Sequence, residues 1–224
     1  MAVFALDDVE RRASGGDAGA QLALAREYEA AGAREDALAW LRRAAAAGSI
    51  DAKTLLGRML LVDTRLDPTE GIRLTMEAAQ AGSGEAMHLF AVLGASGRMG
   101  TPDWPRVLMF LQRAAEQGFP LAQAELALLA DDAALSGALA QGETPRPETW
   151  DRLRLAVDLA AWLRVPSTRA LRSDPRIGVC ESFASPALCH WLIERGRPHL
   201  KRARIDTLKT DTPIFSEEIG RAHV

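Results

Sequence analysis

The sequence predicts a mainly α-helical fold, an α-solenoid of helix–turn–helix repeats that is followed by a short, incomplete α/β segment. Two observations predict the solenoid. A glycine–alanine pattern recurs at nearly constant spacing, and the chain is rich in alanine while only 5% of its residues are aromatic. Self-similarity of this kind is typical of helical repeat proteins, in which each unit buries its apolar face against its neighbours.

The repeat begins with Gly-x-x-x-Ala, and its copies are 32, 34 and 36 residues apart: Gly16, Gly48, Gly82 and Gly118. Glycine readily takes the left-handed conformation that ends a helix, so we expect one helix to end before each of these glycines. Ala-Ala-x-x-Gly precedes the last three. A large apolar residue lies four positions before each alanine pair: Trp40, Leu74 and Phe110. We expect these three to be buried at equivalent positions between helices.

Each unit is therefore predicted to hold two helices, A and B, and we expect no strand between Ala20 and Ala130. The segments between A and B differ in length, covering residues 32–34, 63–69 and 94–105. Exposed loops tolerate insertions, which accounts for the drift in spacing. The glycine-rich stretch 94–100 is interpreted as one such loop, because it has neither the lysine nor the preceding strand of a phosphate-binding loop.

The first unit resembles a Sel-one-like repeat, a relative of the tetratricopeptide repeat. The matching residues are Leu24, Ala25, Tyr28, Gly32, Trp40, Ala44, Ala45 and Gly48. The resemblance extends from residue 16 to about residue 132 and is looser in the third unit, where Gly94 replaces the tyrosine. It implies a right-handed α-solenoid that acts as an adaptor and binds a protein or peptide in the groove of its concave surface.

Beyond the third unit the sequence predicts a loop and then a helix. Asp131 to Pro147 is small, polar and rich in turn residues, which indicates the end of a helix and an extended loop. Glu148 to Leu163 has one broad apolar stripe and is predicted to be a helix. It serves either as the B helix of a fourth unit or as a cap on the last repeat. The repeat domain is thus predicted to span residues 16–163, after an N-terminal segment 1–15.

An arginine-containing linker is predicted at residues 164–176, and solvated side chains explain it better than an anion site does. A half-buried strand is predicted near Ile177, followed by a helix that begins at Ser185-Pro186 and ends near Gly196. A second short strand is expected at residues 203–208. Cys180 and Cys189 are interpreted as small buried apolar residues rather than as a redox pair.

This C-terminal region, residues 177–218, resembles the opening of a prolyl-hydroxylase-type 2-oxoglutarate/Fe(II) dioxygenase domain. The matching residues are Val179, Phe183, Ser185, Cys189, Leu192, Ile193, Arg197, Pro198, Leu200 and Arg202. The resemblance implies Fe(II), 2-oxoglutarate and ascorbate as cofactors of an intact parent protein. Such an iron site needs a His-x-Asp pair and a second histidine, and the 224 residues contain no His-x-Asp.

We therefore predict no catalytic, cofactor-binding or metal residue and expect the chain as given to be inactive. Its four histidines are His88, His190, His199 and His223. A dioxygenase barrel needs about eight strands, so the incomplete sheet is expected to leave strand edges near Ile177 and Ile205 unpaired. The preferred hypothesis is the N-terminal repeat scaffold of such an oxygenase. The alternative is a stand-alone repeat adaptor with no enzymatic activity.

The last six residues, 219–224, correspond in reverse translation to a string similar to a sequencing adapter. We interpret them as a non-native tail on a truncated reading frame.

The amino-acid composition limits the classes of partner that the chain can bind. Twenty-seven Lys and Arg residues against thirty Asp and Glu residues give a net charge of −3, which argues against nucleic acid. No apolar run suits a signal peptide or a membrane span, and two cysteines form no disulfide framework. A cytoplasmic location and no membrane partner are expected. The basic residues between Arg195 and Arg204 are interpreted as a solvated helix end.

Overall fold

The computed structural model describes residues 2–63, 68–98 and 100–200 of the 224-residue chain, and only the backbone of residues 2–7. The chain divides into two compact units, residues 1–163 and 164–224. The described part of the first unit is helical, and its helices follow in this order: α1 (Ala2–Ser14), α2 (Ala18–Ala30), α3 (Arg34–Ala46), α4 (Ile50–Val62), α5 (Pro68–Gln80), α6 (Gly84–Ala95), α7 (Trp104–Glu116), α8 (Pro120–Leu129), α9 (Ala133–Ala140), α10 (Glu148–Ala156) and α11 (Leu159–Leu163).

The helices of the first unit pack mainly against their neighbours in the sequence. Each helix from α1 to α8 contacts the next one, and α10 returns to contact α7 and α8. The pairs α2–α3, α4–α5 and α6–α7 are the three predicted A–B units, and α8 is a fourth A helix. This nearest-neighbour packing is typical of a solenoid. The prediction of helices alone between Ala20 and Ala130 is confirmed for the residues described in that range.

The four repeat glycines end the helices as predicted. Gly48 has φ +91°, and its N–H donates to the carbonyl of Ala45 at 3.1 Å. The next N–H, of Ser49, reaches back to the carbonyl of Ala44 at 3.0 Å. The same pair of bonds occurs at the other three glycines, all with positive φ. These bonds satisfy carbonyls that the helix end leaves without an intrahelical partner.

The residue after each glycine starts the next A helix. Asp17, Ser49 and Ser83 accept, through their side chains, the N–H of the alanine three positions later. This side-chain cap satisfies an N–H that the first helical turn cannot. Phe119 has no such side chain, and Pro120 follows it at the first helical position, where its missing N–H costs nothing.

Small residues make the tightest helix contacts. Ala44, Ala78 and Ala114 are fully buried, as are Ala52 and Ala86. The large apolar residues of the repeat differ from the prediction, since Leu74 is buried but Trp40 and Phe110 are only half-buried. The alanines already fill the closest approach between helices, so the bulky rings lie at its margin. The cost of ~3–5 kcal/mol expected for truncating a well-buried ring does not apply to Trp40 and Phe110.

Two segments of the first unit contain helices that were not predicted. In the N-terminal segment 1–15, α1 packs on α2 and its Ala13 is buried. Segment 131–147, predicted to be a helix end and an extended loop, contains the separate helix α9, which Asp132 caps by accepting the N–H of Leu135.

The predicted helix 148–163 is two helices. Val157 leaves the helical conformation at ψ 117°, and the carboxylate of Asp158 accepts the N–H of Ala161 to start α11. Asp158 thus acts as a helix start inside a continuous apolar pattern, because its side chain can replace a backbone hydrogen bond.

The described residues of the second unit form a hairpin and a helix. Strands β1 (Arg169–Ser173) and β2 (Arg176–Val179) pair antiparallel, and α12 (Pro186–Gly196) and a single 3-10 turn (Arg197–His199) follow. Strand β1 lies within the segment 164–176 that was predicted to be a linker. The strand at Ile177 is not left wholly unpaired, since β1 lies along one of its edges.

Other details of the second unit also differ from the prediction. Residues of both strands are largely exposed, so β2 is less buried than its alternating pattern indicates. Cys189 is exposed and Cys180 is half-buried, which corrects the prediction of two buried cysteines. The predicted strand at residues 203–208, its edge at Ile205 and the interpreted tail 219–224 lie outside the described residues. Across the described ranges, no helix has the length and apolar character needed to cross a membrane.

Candidate binding groove

Successive B helices of the solenoid are separated by grooves whose inner side chains come from the A helix between them. The first groove lies between α3 and α5 over α4, with a volume of about 400 Å³. The second groove lies between α5 and α7 over α6, with a volume of about 410 Å³. A third, of about 620 Å³, lies between α7 and α10. These volumes fall within the range of ligand-binding clefts.

Ion pairs cross the first groove. Arg42 on α3 reaches Glu70 on α5 at 3.1 Å, and Lys53 on α4 reaches Glu77 on α5 at 2.8 Å. Arg73 lies on the other side of the Glu77 carboxylate at 2.5 Å. The hydrogen bond from Lys53, and then the one from Arg73, lowers the pKa of Glu77 below its usual value. The carboxylates of the first groove are thus paired with cations of the same groove.

The second groove uses the same repeat positions for different side chains. Corresponding residues of the first and second grooves, counted from the repeat glycine or from Leu74 and Phe110, are Arg42 and Met76, Lys53 and Met87, Leu56 and Phe90, Glu70 and Arg106, and Glu77 and Arg113. Both cations have become methionines and both carboxylates have become arginines. No ion pair of the first type can therefore form across the second groove.

An apolar surface is left in the second groove. Phe90 and Phe110 lie side by side with their ring centroids 5.5 Å apart, and Met76 is 48% exposed at the rim. Gly94 occupies the repeat position of Leu60, whose side chain is buried in the preceding unit. The missing side chain at Gly94 helps to keep the groove open. Gly100 and Thr101 of the expanded A–B loop also line it.

Two arginines border the apolar surface without ionic partners. Neither Arg106 nor Arg113 forms an ion pair with any carboxylate in the described ranges; the Arg106 guanidinium lies 5.7 Å from the ring centroid of Phe110. Asp103 also lines the groove, but its carboxylate caps α7 by accepting the backbone N–H of Arg106. Both arginines are exposed residues, so an external anion can reach them.

The third groove shares the two arginines but is more polar. Its carboxylates already have partners, since Asp151 pairs with Arg154 at 2.9 Å and Glu116 accepts a hydrogen bond from Gln112 at 2.6 Å. Met109 lies in this groove and not in the second one.

His88 is the one histidine in the predicted repeat helices, and its contacts are structural. Its Nε2 lies 2.7 Å from Glu125 Oε2, which joins α6 to α8, and its ring packs near Phe119 at 5.2 Å. His88 is buried, and no further metal-binding side chains gather around it in the described part of the chain.

The residues present do not fit the iron centre that the oxygenase resemblance implies. In the described ranges no three His, Cys, Asp or Glu side chains come close enough to hold a metal ion. His190 lies on α12 and His199 in the 3-10 turn, and neither belongs to a His-x-Asp pair. The donor set of a facial triad is thus missing from these elements, and no catalytic step is assigned to the chain.

The second groove was not predicted from the sequence. A signal was present in the sequence, because aligning the repeats position by position shows the exchange of Glu70 and Glu77 for Arg106 and Arg113. That these positions line one groove became evident only from the packing of α5, α6 and α7.

No protein-family model matches the chain. Among curated proteins, it is 33% identical to the Sel1-repeat-containing protein YjcO of Escherichia coli K12 over 107 residues, which are 47% of each chain. Among solved structures, it is similar to a Sel1 repeat protein from Oxalobacter formigenes, with a TM-score of 0.50 and 22% identity over 67% of this chain and 62% of that one.

Over the part that these comparisons cover, the chain shares the helical-repeat fold of solved Sel1 repeat proteins. A second Sel1-like structure, c5321 of uropathogenic E. coli, has a TM-score of 0.50 and 18% identity over 74% of this chain and 44% of its own. At these identities the likeness to Sel1 structures concerns the fold. The chain spans about half the length of the curated relative that it matches. None of these comparisons supports the oxygenase resemblance of the C-terminal region.

Proposed function

We propose that the chain is a Sel1-repeat adaptor, a binding module without enzymatic activity that holds a segment of another protein against its repeats. The observation that carries this proposal is the second groove, which is open and apolar where the first groove is crossed by ion pairs. Concave sites lined mainly by apolar side chains with a few polar groups are where proteins commonly bind ligands.

The solenoid fold supports the proposal in a second way. Stacked repeats present a continuous surface on which equivalent positions can vary without loss of the fold, because buried alanines and glycine turns hold the helices together. The surface positions of Met76 and Met87 have changed in this way, whereas the neighbouring Ala78 and Ala86 remain fully buried. At these two positions the variation lies where a partner can touch it.

A selection of random displayed peptides on the full 224-residue chain tests the proposal. We expect peptides to be enriched and to bind in titration calorimetry with dissociation constants of roughly 1–100 μM, as short segments do when they lose their flexibility on binding. A failure to enrich any peptide over an immobilised control protein of similar charge would contradict the proposal.

The competing function is a repeat scaffold within a prolyl-hydroxylase-type oxygenase, with the linker at residues 164–176 and the oxygenase-like part at residues 177–218. The order of β2 and α12 agrees with it, but a strand followed by a helix occurs in many unrelated folds. An in-frame continuation of the native gene that encodes His-x-Asp and a later histidine would favour this function. We expect no succinate from the purified chain with ferrous iron and 2-oxoglutarate.

A cytoplasmic location belongs to the same proposal. Cys180 and Cys189 are free thiols, as expected in a reducing compartment.

A further inference from the structure

We infer that the second groove binds a linear segment of a partner protein that carries a large apolar side chain between two carboxylates. The apolar side chain would lie against Met76, Phe90 and Phe110, and the carboxylates would pair with Arg106 and Arg113. This inference rests on the proposed adaptor function and names the site and the chemistry of its partner.

Comparison with the first groove shows which charges the second groove lacks. At the repeat positions of Arg106 and Arg113 the first groove has Glu70 and Glu77, and cations of the same chain neutralise both. In the second groove the charges at these positions are reversed, and the cations that faced them are methionines. A carboxylate outside the described part of the chain can supply the complementary charge, because none within it pairs with these arginines.

The spacing of the two arginines limits the partner. Arg106 and Arg113 lie seven residues apart on α7, so their Cα atoms are separated by two helical turns, about 10 Å. A segment in the polyproline II conformation rises about 3.1 Å per residue with three residues per turn, so side chains three positions apart share one face and lie about 9 Å apart. Two acidic residues at positions 1 and 4 of such a segment, with a leucine or phenylalanine between them, therefore fit the groove.

The second groove suits this partner better than the third groove does. Both contain the two arginines, but only the second has Met87 and Phe90 as an apolar floor. Asp103 lies in both grooves. The third groove adds two carboxylates, Glu116 and Asp151, against one further cation, Arg154, so it is less positive and attracts an acidic segment less.

Two displayed libraries with a fixed core and random flanks test the inference. One has the core Glu-Leu-x-Glu and the other has the neutral isostere Gln-Leu-x-Gln. Binders are selected on the wild-type chain and then measured as synthetic fluorescein-labelled peptides by fluorescence anisotropy. The decisive variant is M76R/R106E, which recreates in the second groove the Arg42–Glu70 pair of the first. The matched control is M109R, since Arg73 occupies the same repeat position in the preceding unit.

We expect the acidic library alone to give binders, with affinity at least about tenfold lower for M76R/R106E and within about twofold of wild type for M109R. Raising NaCl from about 50 mM to about 500 mM should also weaken binding, because exposed ion pairs are screened. Circular dichroism checks folding. If M76R/R106E is unfolded, M87K/R113E, which recreates the Lys53–Glu77 pair, takes its place with the same expected loss.

Two results would overturn the inference. Peptides that bind wild type and the groove variants equally, or equally tight binders from the neutral library, would place binding elsewhere and leave the adaptor function standing. If neither these libraries nor the fully random one yields a binder, the adaptor function fails together with the inference.

Discussion

At the residue scale, the repeat requires glycine at two kinds of position, for two different physical reasons. At Gly48 the reason is conformational, because φ is +91° while the space around a Cβ is empty. At Gly57 the reason is contact, because a Cβ there would meet the Thr75 hydroxyl and lie 3.2 Å from the carbonyl oxygen of Gly71. The first requirement is local to the chain, whereas the second comes from the packing of α5 on α4.

Replacing Gly48 with alanine should lower the free energy of unfolding by about 1–2 kcal/mol, since a side chain is disfavoured in the left-handed region. Urea unfolding monitored by circular dichroism measures the effect. Gly137→Ala is the matched control, because Gly137 lies inside α9 with nothing within 4 Å of the added methyl group. The control should be neutral or slightly stabilising. Equal losses for both variants would contradict the conformational explanation.

Replacing Gly57 with alanine should cost about 1–3 kcal/mol because the new methyl group crowds a packed helix interface. Thr75 is buried, and its hydroxyl donates to the Gly71 carbonyl at 2.8 Å, so it cannot simply turn away. In a double-mutant cycle, Thr75→Ala should reduce the cost of Gly57→Ala, since it removes the clashing atom. Strictly additive losses would show that Thr75 is not the group that excludes a side chain.

Helix α10 illustrates how an element is held by tertiary contacts at the element scale. It is nine residues long, too short to be stable alone, and it packs on α7 and α8 through Trp150 and Leu153, which are 3% and 1% exposed. The opposite face has Leu155, which is 68% exposed. Burial of one face therefore covers the apolar end of the last repeats, as capping repeats do.

Trp150→Ala should lower the free energy of unfolding by about 3–5 kcal/mol, because it removes a large buried ring and leaves a cavity. Leu155→Ala on the same helix should change it by less than about 0.5 kcal/mol. Guanidinium unfolding followed by far-ultraviolet circular dichroism distinguishes the two. A small effect of Trp150→Ala would mean that α10 does not support the repeats.

For the whole first unit, contacts between sequence neighbours dominate, and some of the surface ion pairs join helices that are already adjacent. Lys53 and Glu77 connect α4 with α5, while Arg12 and Asp17 connect the end of α1 with the start of α2. The pKa of Asp17 is lowered, first by the hydrogen bond from the Ala20 backbone N–H and then by the one from Arg12. The folded state thus stabilises the ionised carboxylates of both Asp17 and Glu77.

The stability of the chain should fall on acidification for this reason. Because the folded pKa values lie below the ordinary values of 3.8 for Asp17 and 4.5 for Glu77, their contribution is complete above those values. It is lost as pH falls from there through the folded pKa values. The urea midpoint should be flat near neutral pH and drop below about pH 4.5.

The variant Asp17→Asn/Glu77→Gln should show a shallower drop over the same range, since Asn still caps a helix but neither amide titrates. An identical pH profile for wild type and variant would assign the acid sensitivity to other carboxylates.

The sequence by itself determined the features that depend on a few neighbouring residues. The helix ends at the repeat glycines, such as Gly48 with its positive φ, and the start of α12 at Ser185 were predicted from local backbone preferences. The caps at Ser49 and Ser83 follow from the same preferences but were not predicted. Such preferences act over about one helical turn, so the spacing of the glycines was sufficient to place the A and B helices.

Only the tertiary structure decided how far neighbouring helices lie from one another. The partial exposure of Trp40 and Phe110, the opening of the groove beside Gly94 and the absence of an ionic partner for Arg113 within the described residues all depend on that distance. It results from contacts summed over several helices, which no local pattern contains. The repeat can therefore be recognised in the sequence, whereas the groove exists only where α5, α6 and α7 meet.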